Sequence, residues 1–262
     1  MLIHGAGFRD NKYLNYWGRI PKTLEKHGAT LYYGHQDSWG NIKYNASVLK
    51  DNLTKILSET NCERVNIIAH SKGGLDARYM ISSLGMADKI ASLTTIATPH
   101  HGSRTIDLLY KLPKWLYKIT AFFTNSFFRM LGDKKPDFYA ASRQFSTVNM
   151  KTFNEQNPDM PPVYYQSYAT VMKNPFSDIF LFWTNLFIWL IEGENDGLVT
   201  PESATFTNFK GILRGTTRRG ISHADAIDMR RKNFTKKASV NGIADIRDVY
   251  IDIVSGLKQM GL

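Results

Sequence analysis

Along the first hundred residues, short apolar runs alternate with stretches in which apolar positions recur every three or four residues. The runs at 2–3, 29–33, 64–68 and 93–97 read as buried strands. Between them, Tyr13, Trp17, Ile20 and Leu24 share one face of a predicted helix over 13–26, with Gly28 as its stop. Val48, Leu49, Leu53, Ile56 and Leu57 give an inward face over 45–58, and a third helix is predicted over 73–84. Strand and helix in regular succession predict an α/β fold: a mostly parallel sheet with helices on both faces. Reactive groups in such sheets gather at the carboxyl ends of the strands.

The pattern changes after residue 100. Leu108, Leu109, Trp115, Leu116, Tyr117, Phe122, Phe123, Phe127, Phe128 and Met130 crowd into 105–140, with Lys111, Lys114, Lys118 and Arg129 interspersed. No single helical period accounts for so much apolar surface. The segment reads either as a helical cap over a site or as an extra pair of core helices. A helix is expected over 143–156, a tyrosine-rich strand over 163–170, a further strand over 206–213 and a closing helix over 248–260. The apolar run at 179–191 reads as a second cap element or a partly buried helix. At this length it falls short of the roughly 20 residues a membrane span needs. One domain over 1–262, with cap or lid insertions at about 105–140 and 174–192, is the economical organisation.

Composition narrows this picture only slightly. The 262 residues are 43% hydrophobic and 13% aromatic, ample for a globular core. The net charge of +10 is weighted toward the later part of the chain, through Arg214, Arg218, Arg219, Arg230, Arg231, Lys232, Lys236 and Lys237. No nucleic-acid-binding motif accompanies it, so the charge reads as a solvated or lipid-facing surface rather than a nucleic-acid site. The single cysteine, Cys62, excludes an intrachain disulfide. With no signal-peptide pattern and no spanning segment, the chain is expected to be soluble: cytoplasmic as the sequence stands, secreted if its N-terminus is truncated.

Candidate chemistry begins where the run Val65 to Ile68 ends in Ala69-His70-Ser71-Lys72-Gly73-Gly74. A strand turning sharply into a helix strains its pivot residue, so small residues two positions before and after the pivot act as steric permissions. The serine hydroxyl is lifted clear at a helix N-terminus, where amides can hold an oxyanion. A serine of this kind needs a base and an oriented acid. Of seven histidines, only His223 lies downstream of any plausible acid. Asp196, in Asn195-Asp196-Gly197, is the leading acid; Asp178 and Asp159 are its rivals. The turn His4-Gly5-Ala6-Gly7 after the first strand is either an oxyanion loop or an ordinary glycine-rich turn.

With these residues in view, the chain resembles the bacterial triacylglycerol lipases, the true-lipase family of the α/β-hydrolase fold. The matching stretches are His4 to Gly7, Tyr16-Trp17, His27 to Thr30, Ala69 to Tyr79, Thr94 to Ser103, Asn195 to Val199 and His223 to Asp225. The elbow departs from the usual pattern by carrying Ala69 in place of a glycine. The resemblance implies Ser71 as nucleophile, Asp196 as acid and His223 as base, with oxyanion amides on Ala6 and Lys72. It also implies a structural calcium ion near the histidine loop, held by Asp225 and by Asp178, with Asn174 as the other alignment choice for the second position. No organic cofactor is implied.

The expected function is therefore hydrolysis of fatty-acid esters through an acyl-enzyme, with a lipid or ester substrate met at a lipid–water interface. A short-chain esterase or acyl thioesterase using the same triad is the enzymatic alternative. A non-catalytic membrane-surface module on the same scaffold is the alternative from another class.

Overall fold

The computed structural model describes residues 1–7, 15–111, 113, 115, 118, 122, 125–127, 129–231, 233 and 242–262. Its described strands form one parallel sheet whose spatial order follows the chain: β1 (Leu2–Ile3), β2 (Val65–His70), β3 (Ile90–Ile96), β4 (Tyr164–Thr170) and β5 (Phe209–Leu213). Because all five run in one direction, their carboxyl ends share one edge, and the turns after β1, β2 and β4 meet there.

Side-chain alternation along these strands supplies two cores. Ile3, Ile67, Ala69 and Leu93 point to one face, against Leu49, Leu53 and Ile56 of α2 (Ile42–Thr60) and Met80 and Ile81 of α3 (Lys72–Ile81). Leu2, Ile68 and Ile96 point to the other. There they meet Ile20 and Leu24 of α1 (Ile20–Lys26) and Tyr250, Ile253 and Leu257 of the closing helix, Ile246–Gln259. A sheet buried on both faces is what an unbroken apolar strand pattern requires. The expected α/β-hydrolase architecture is the one observed.

Several elements differ from expectation for local reasons. The expected strand at 29–33 contributes a single parallel bridge, Leu2↔Tyr33, because only the two-residue β1 lies beside it. The first helix begins at Ile20, after a turn holding Tyr16 and Trp17; Tyr13 lies outside the described residues. The helix expected over 143–156 is broken. Ser146 starts a new helix, Thr147–Gln156, by accepting a hydrogen bond from the Asn149 amide, and the preceding turn of helix covers Phe138–Arg143.

Between β3 and β4 the chain also forms a short helix, Arg104–Leu109, and between β4 and β5 an apolar helix, Phe182–Glu192. Glu192 joins these two: its Oε1 accepts from the Ser103 hydroxyl at 2.6 Å, the Thr105 amide at 2.8 Å and the Thr105 hydroxyl at 2.7 Å. Leu116, Tyr117, Phe123 and Phe128 of the first apolar segment lie outside the described residues. Among those described, Trp115, Phe122, Phe127, Phe176, Phe180, Trp183, Phe187 and Leu190 are exposed. The run at 179–191 is therefore less buried than its composition suggests; its helix buries only Asn185 and Ile188. No helix among the described residues is long and apolar enough to cross a membrane.

Candidate active site

Ser71 sits where β2 turns into α3, with φ 54° and ψ −134°. A non-glycine residue held there stores on the order of 1–3 kcal/mol of strain. The turn is fixed on both sides: the Ser71 amide donates to the Ile96 carbonyl at 3.0 Å, and the Thr98 hydroxyl donates to the Ser71 carbonyl at 2.8 Å. Gly73 acts as the steric permission its position implies. A Cβ there would lie 2.4 Å from the His4 carbonyl oxygen. Gly74 is equally confined, by Thr98.

The first turn, His4 to Gly7, is brought against this elbow. His4 is buried, with one ring nitrogen 2.8 Å from the Gly5 carbonyl and the other 2.9 Å from the Gln36 carbonyl. The Gly5 amide donates to the Tyr16 hydroxyl at 2.9 Å, which in turn meets His70 Nδ1 at 2.7 Å. Burial first, and then the charge on nearby His223, hold the His70 pKa well below the ordinary histidine value. His70 is therefore neutral, and its Nδ1 shares a hydrogen bond with the same Tyr16 hydroxyl that accepts from Gly5. Nothing in the pattern of apolar positions pointed to this role for Tyr16; its only signal was its place in the Tyr16-Trp17 pair.

Ala6 follows in the same turn, and Lys72 is the first residue of α3, so its amide has no acceptor within the helix. The Lys72 side chain is fully buried. Its Nζ reaches both Asp76 carboxylate oxygens at 2.7 Å.

Asp196 and His223 are directly paired, Nδ1 to Oδ2 at 2.8 Å. The carboxylate is wholly buried, and it also accepts from the Thr170 hydroxyl at 2.7 Å and the amides of Leu198 and Val199 at 3.0 and 2.9 Å. A second link, from the His223 amide to the Asp196 carbonyl at 2.8 Å, fixes the two loops to each other. Four donors on one carboxylate leave it no freedom to swing. The His223 ring lies 4.4 Å, centroid to centroid, from that of His70, the residue before Ser71. No hydrogen bond joins the Ser71 hydroxyl to His223 among the described residues, a common state of such sites before substrate tightens them. The rival acids stand elsewhere: Asp178 accepts from the Ser222 hydroxyl at 2.8 Å, and Asp159 lies in the loop before β4.

Asp178 and Asp225 do come into one network, but not as a cation cage. Asp225 is engaged at both oxygens by the Arg230 guanidinium, and Asp178 by Ser222 and the Phe180 amide. A calcium ion takes roughly six to eight oxygen ligands. Among the described residues no group of three or more acidic, histidine or cysteine side chains is placed to hold a metal. Asn174 instead caps the 3₁₀ turn Pro175–Ser177. The donor set the resemblance assigns to calcium does not fit the ion in this arrangement.

A family model described as the alpha/beta hydrolase fold matches residues 1–209. The chain belongs to this family. Triacylglycerol lipase 2 of Saccharomyces cerevisiae is 32% identical to this hydrolase over 277 residues, covering 96% of the chain and 77% of the yeast protein. A triacylglycerol lipase of Pseudarthrobacter phenanthrenivorans is 31% identical over 172 residues, 60% of the chain and 53% of that lipase. Among solved structures, the mature Bacillus licheniformis lipase superposes with a TM-score of 0.65 at 20% identity, covering 98% of this chain and 91% of its own. Lipase 1 of Pelosinus fermentans gives 0.68 at 17% identity, covering 98% and 97%. At such identities the structures speak for the fold of the hydrolase.

Proposed function

We propose that this chain, a carboxylic-ester hydrolase, cleaves the fatty-acyl esters of glycerides at a lipid–water surface, with Ser71, His223 and Asp196 as its catalytic triad. The observation that carries the reading is the buried Asp196–His223 pair, presented beside the strained serine turn in the chain order serine, acid, histidine. The triacylglycerol lipase names of the relatives support the choice of substrate.

In the first half-reaction His223 Nε2 takes the proton from Ser71 Oγ as the oxygen attacks the ester carbonyl carbon. The carbonyl π electrons move onto oxygen, and the amides of Ala6 and Lys72 stabilise the oxyanion. Asp196 holds the imidazole in the tautomer that keeps Nε2 free and then stabilises the imidazolium. Collapse of the tetrahedral intermediate breaks the bond to the alcohol, which leaves with the proton from His223. Water, deprotonated by the same histidine, then attacks the acyl-enzyme, and Ser71 regains its proton as the fatty acid departs.

The apolar segments after β3 and β4 act as the cap and supply the surface that meets lipid. Phe180, 93% exposed, and Trp183, 65% exposed, head a stripe continued by Phe187 and Leu190, and such a stripe gains from leaving water.

Two measurements test the proposal. Ser71→Ala should abolish hydrolysis of a p-nitrophenyl ester while leaving the circular dichroism spectrum unchanged; undiminished turnover sinks the triad. A series from soluble short-chain esters to emulsified long-chain glycerides should favour the latter. Preference for soluble short esters points instead to an esterase.

A further inference from the structure

The loop that carries His223 is held by an arginine. Asp225, two residues beyond the histidine, is buried, and Arg230 grips its carboxylate as a fork, with Nε on Oδ1 at 2.7 Å and Nη2 on Oδ2. The remaining nitrogen, Nη1, donates to the Ser177 carbonyl at 3.0 Å, the residue before Asp178. Ser222 closes the circuit. Its hydroxyl donates to Asp178 Oδ2 at 2.8 Å and accepts from the Asp225 amide at 3.2 Å, and its own amide donates to Asp225 Oδ2 at 3.3 Å. The network thus ties three segments together: the turn that opens the apolar helix Phe182–Glu192, the histidine loop, and the chain at residue 230. On the far side of the loop, Arg19 pairs with Asp228, and the Tyr250 hydroxyl donates to the Ala226 carbonyl.

We propose that the Arg230 guanidinium is the resident cation of the histidine loop, standing where the resemblance places a calcium ion, and that it positions His223 without metal. The proposal rests on the reading of His223 as the general base. A guanidinium satisfies the same two demands as a hard cation at this place: it neutralises the local carboxylates, and it draws a backbone carbonyl into the same cluster. Its planar fork matches a carboxylate in two parallel bonds, which fixes orientation as well as charge. Burial opposes the guanidinium charge, but the hydrogen bond and charge of Asp225, joined by the charge of Asp178, outweigh it and raise the Arg230 pKa. A cation built into the chain cannot dissociate, so the geometry of the loop should be indifferent to chelators.

Thermal unfolding and kinetics on a soluble ester decide this. The unaltered protein should show the same Tm in EDTA and in millimolar calcium. Arg230→Ala should lower Tm by about 5 °C and kcat by about 10-fold, with KM little changed, because the loss falls on the placing of His223 rather than on substrate binding. Calcium should then raise the Tm of Arg230→Ala, since Asp178 and Asp225 are left without their counter-charge. If Arg230→Ala does not fold, Asp225→Asn/Arg230→Gln, which removes both charges together, should fold and unfold near the unaltered protein. Loss of Tm in EDTA by the unaltered protein overturns the proposal. So does an Arg230→Ala variant with unchanged Tm and kcat, or one whose Tm ignores calcium. The Tm comparisons can be run in a Ser71→Ala background, so failure of the ester-hydrolysis reading leaves this test standing.

Discussion

A methyl group placed on Gly5 would lie 2.6 Å from the Ser71 Cβ, so the turn after β1 and the elbow after β2 touch with no room for a side chain. The same methyl would meet the Tyr16 hydroxyl at 2.8 Å and the His70 carbonyl at 3.1 Å. None of the three can yield cheaply, because each belongs to the elbow or to its hydrogen-bonded support. Gly5→Ala should displace the Ala6 amide from its proposed oxyanion role and lower kcat by about 100-fold or more. Steady-state kinetics on a soluble ester, beside a melting curve, check it; wild-type kcat would show that the first turn takes no part in catalysis.

Asp196 supplies the second prediction. Asp196→Asn keeps the volume but turns one acceptor into a donor, facing the Thr170 hydroxyl and His223 Nδ1. The imidazole must then carry its proton on Nε2, the nitrogen that has to accept one from Ser71. A loss of about 10⁴-fold in kcat is expected, the scale seen when the triad acid is blunted in other serine hydrolases. Asp178→Asn is the matched control and should retain turnover within about 10-fold. If Asp178→Asn is the more damaging of the two, the acid has been misassigned.

How much of this was legible beforehand varies with the range of the interaction that decides it. The elbow was readable because its signal is local: an apolar run, small residues around a serine, a helix beginning at once. His223 was readable by elimination, since no other histidine follows a candidate acid. Tyr16 was not, because its hydroxyl matters only after the loop from β1 folds over β2, and no spacing in the sequence encodes that. Periodicity reports that an apolar face exists but not what covers it. The run at 179–191 therefore reads either as a cap element or as a partly buried helix, and its helix buries only Asn185 and Ile188. Strand propensity at 29–33 was likewise real, but a strand needs a partner of its own length, and β1 offers two residues.

The Lys72–Asp76 pair is an i, i+4 contact that is 1% exposed on both sides, with the Asn45 amide donating to Asp76 at 2.9 Å. Burial lowers the Lys72 pKa despite the opposing charge of Asp76, and burial raises that of Asp76 despite Lys72. Each partner is thus held charged chiefly by the other, with Asp133 and Asp37 also favouring the Lys72 charge and the Asn45 amide that of Asp76. Asp76→Ala should cost about 3–5 kcal/mol by leaving a buried ammonium unmatched, a fall in Tm of roughly 10 °C at this chain length. Lys72→Met/Asp76→Leu should recover most of that loss. Because the role proposed for residue 72 belongs to its backbone amide, the double variant should keep kcat within about 10-fold. A double variant as unstable as Asp76→Ala argues that packing, not charge, governs the pair.

Acid should destabilise the protein through His70 and His100. Both are buried, and burial is the largest cause holding each pKa well below the ordinary histidine value of 6.5; the charge of His223 adds to it for His70, and that of Arg78 for His100. As the pH falls through 6.5, the unfolded chain binds protons at these positions and the folded chain does not. Stability present above that pH is therefore lost below it, each group approaching about 1.4 kcal/mol per pH unit. His100→Gln should melt lower at neutral pH, because the ring stacks on Phe206 and bonds Thr95, yet show a shallower decline toward about pH 5. Melting temperatures taken across that range decide the point; an equal slope in both proteins would remove His100 from the account.

The exposed aromatic stripe separates surface binding from chemistry. Phe180 and Trp183 support no core cluster, so replacing both with serine should leave Tm and turnover of a soluble ester unchanged. Each aromatic ring withdrawn from water into lipid contributes about 1.5–3 kcal/mol, and losing two should weaken partition onto a lipid surface by about 100-fold or more. Activity on an emulsified long-chain glyceride should fall accordingly, and rise again as the emulsion surface is increased, because the defect lies in arrival rather than in kcat. Flotation with neutral phosphatidylcholine vesicles measures the same step without catalysis. Equal flotation of the double variant and the unaltered protein would move the lipid-facing surface elsewhere on the molecule. A parallel loss on the soluble ester would mean that the stripe shapes the acyl site instead.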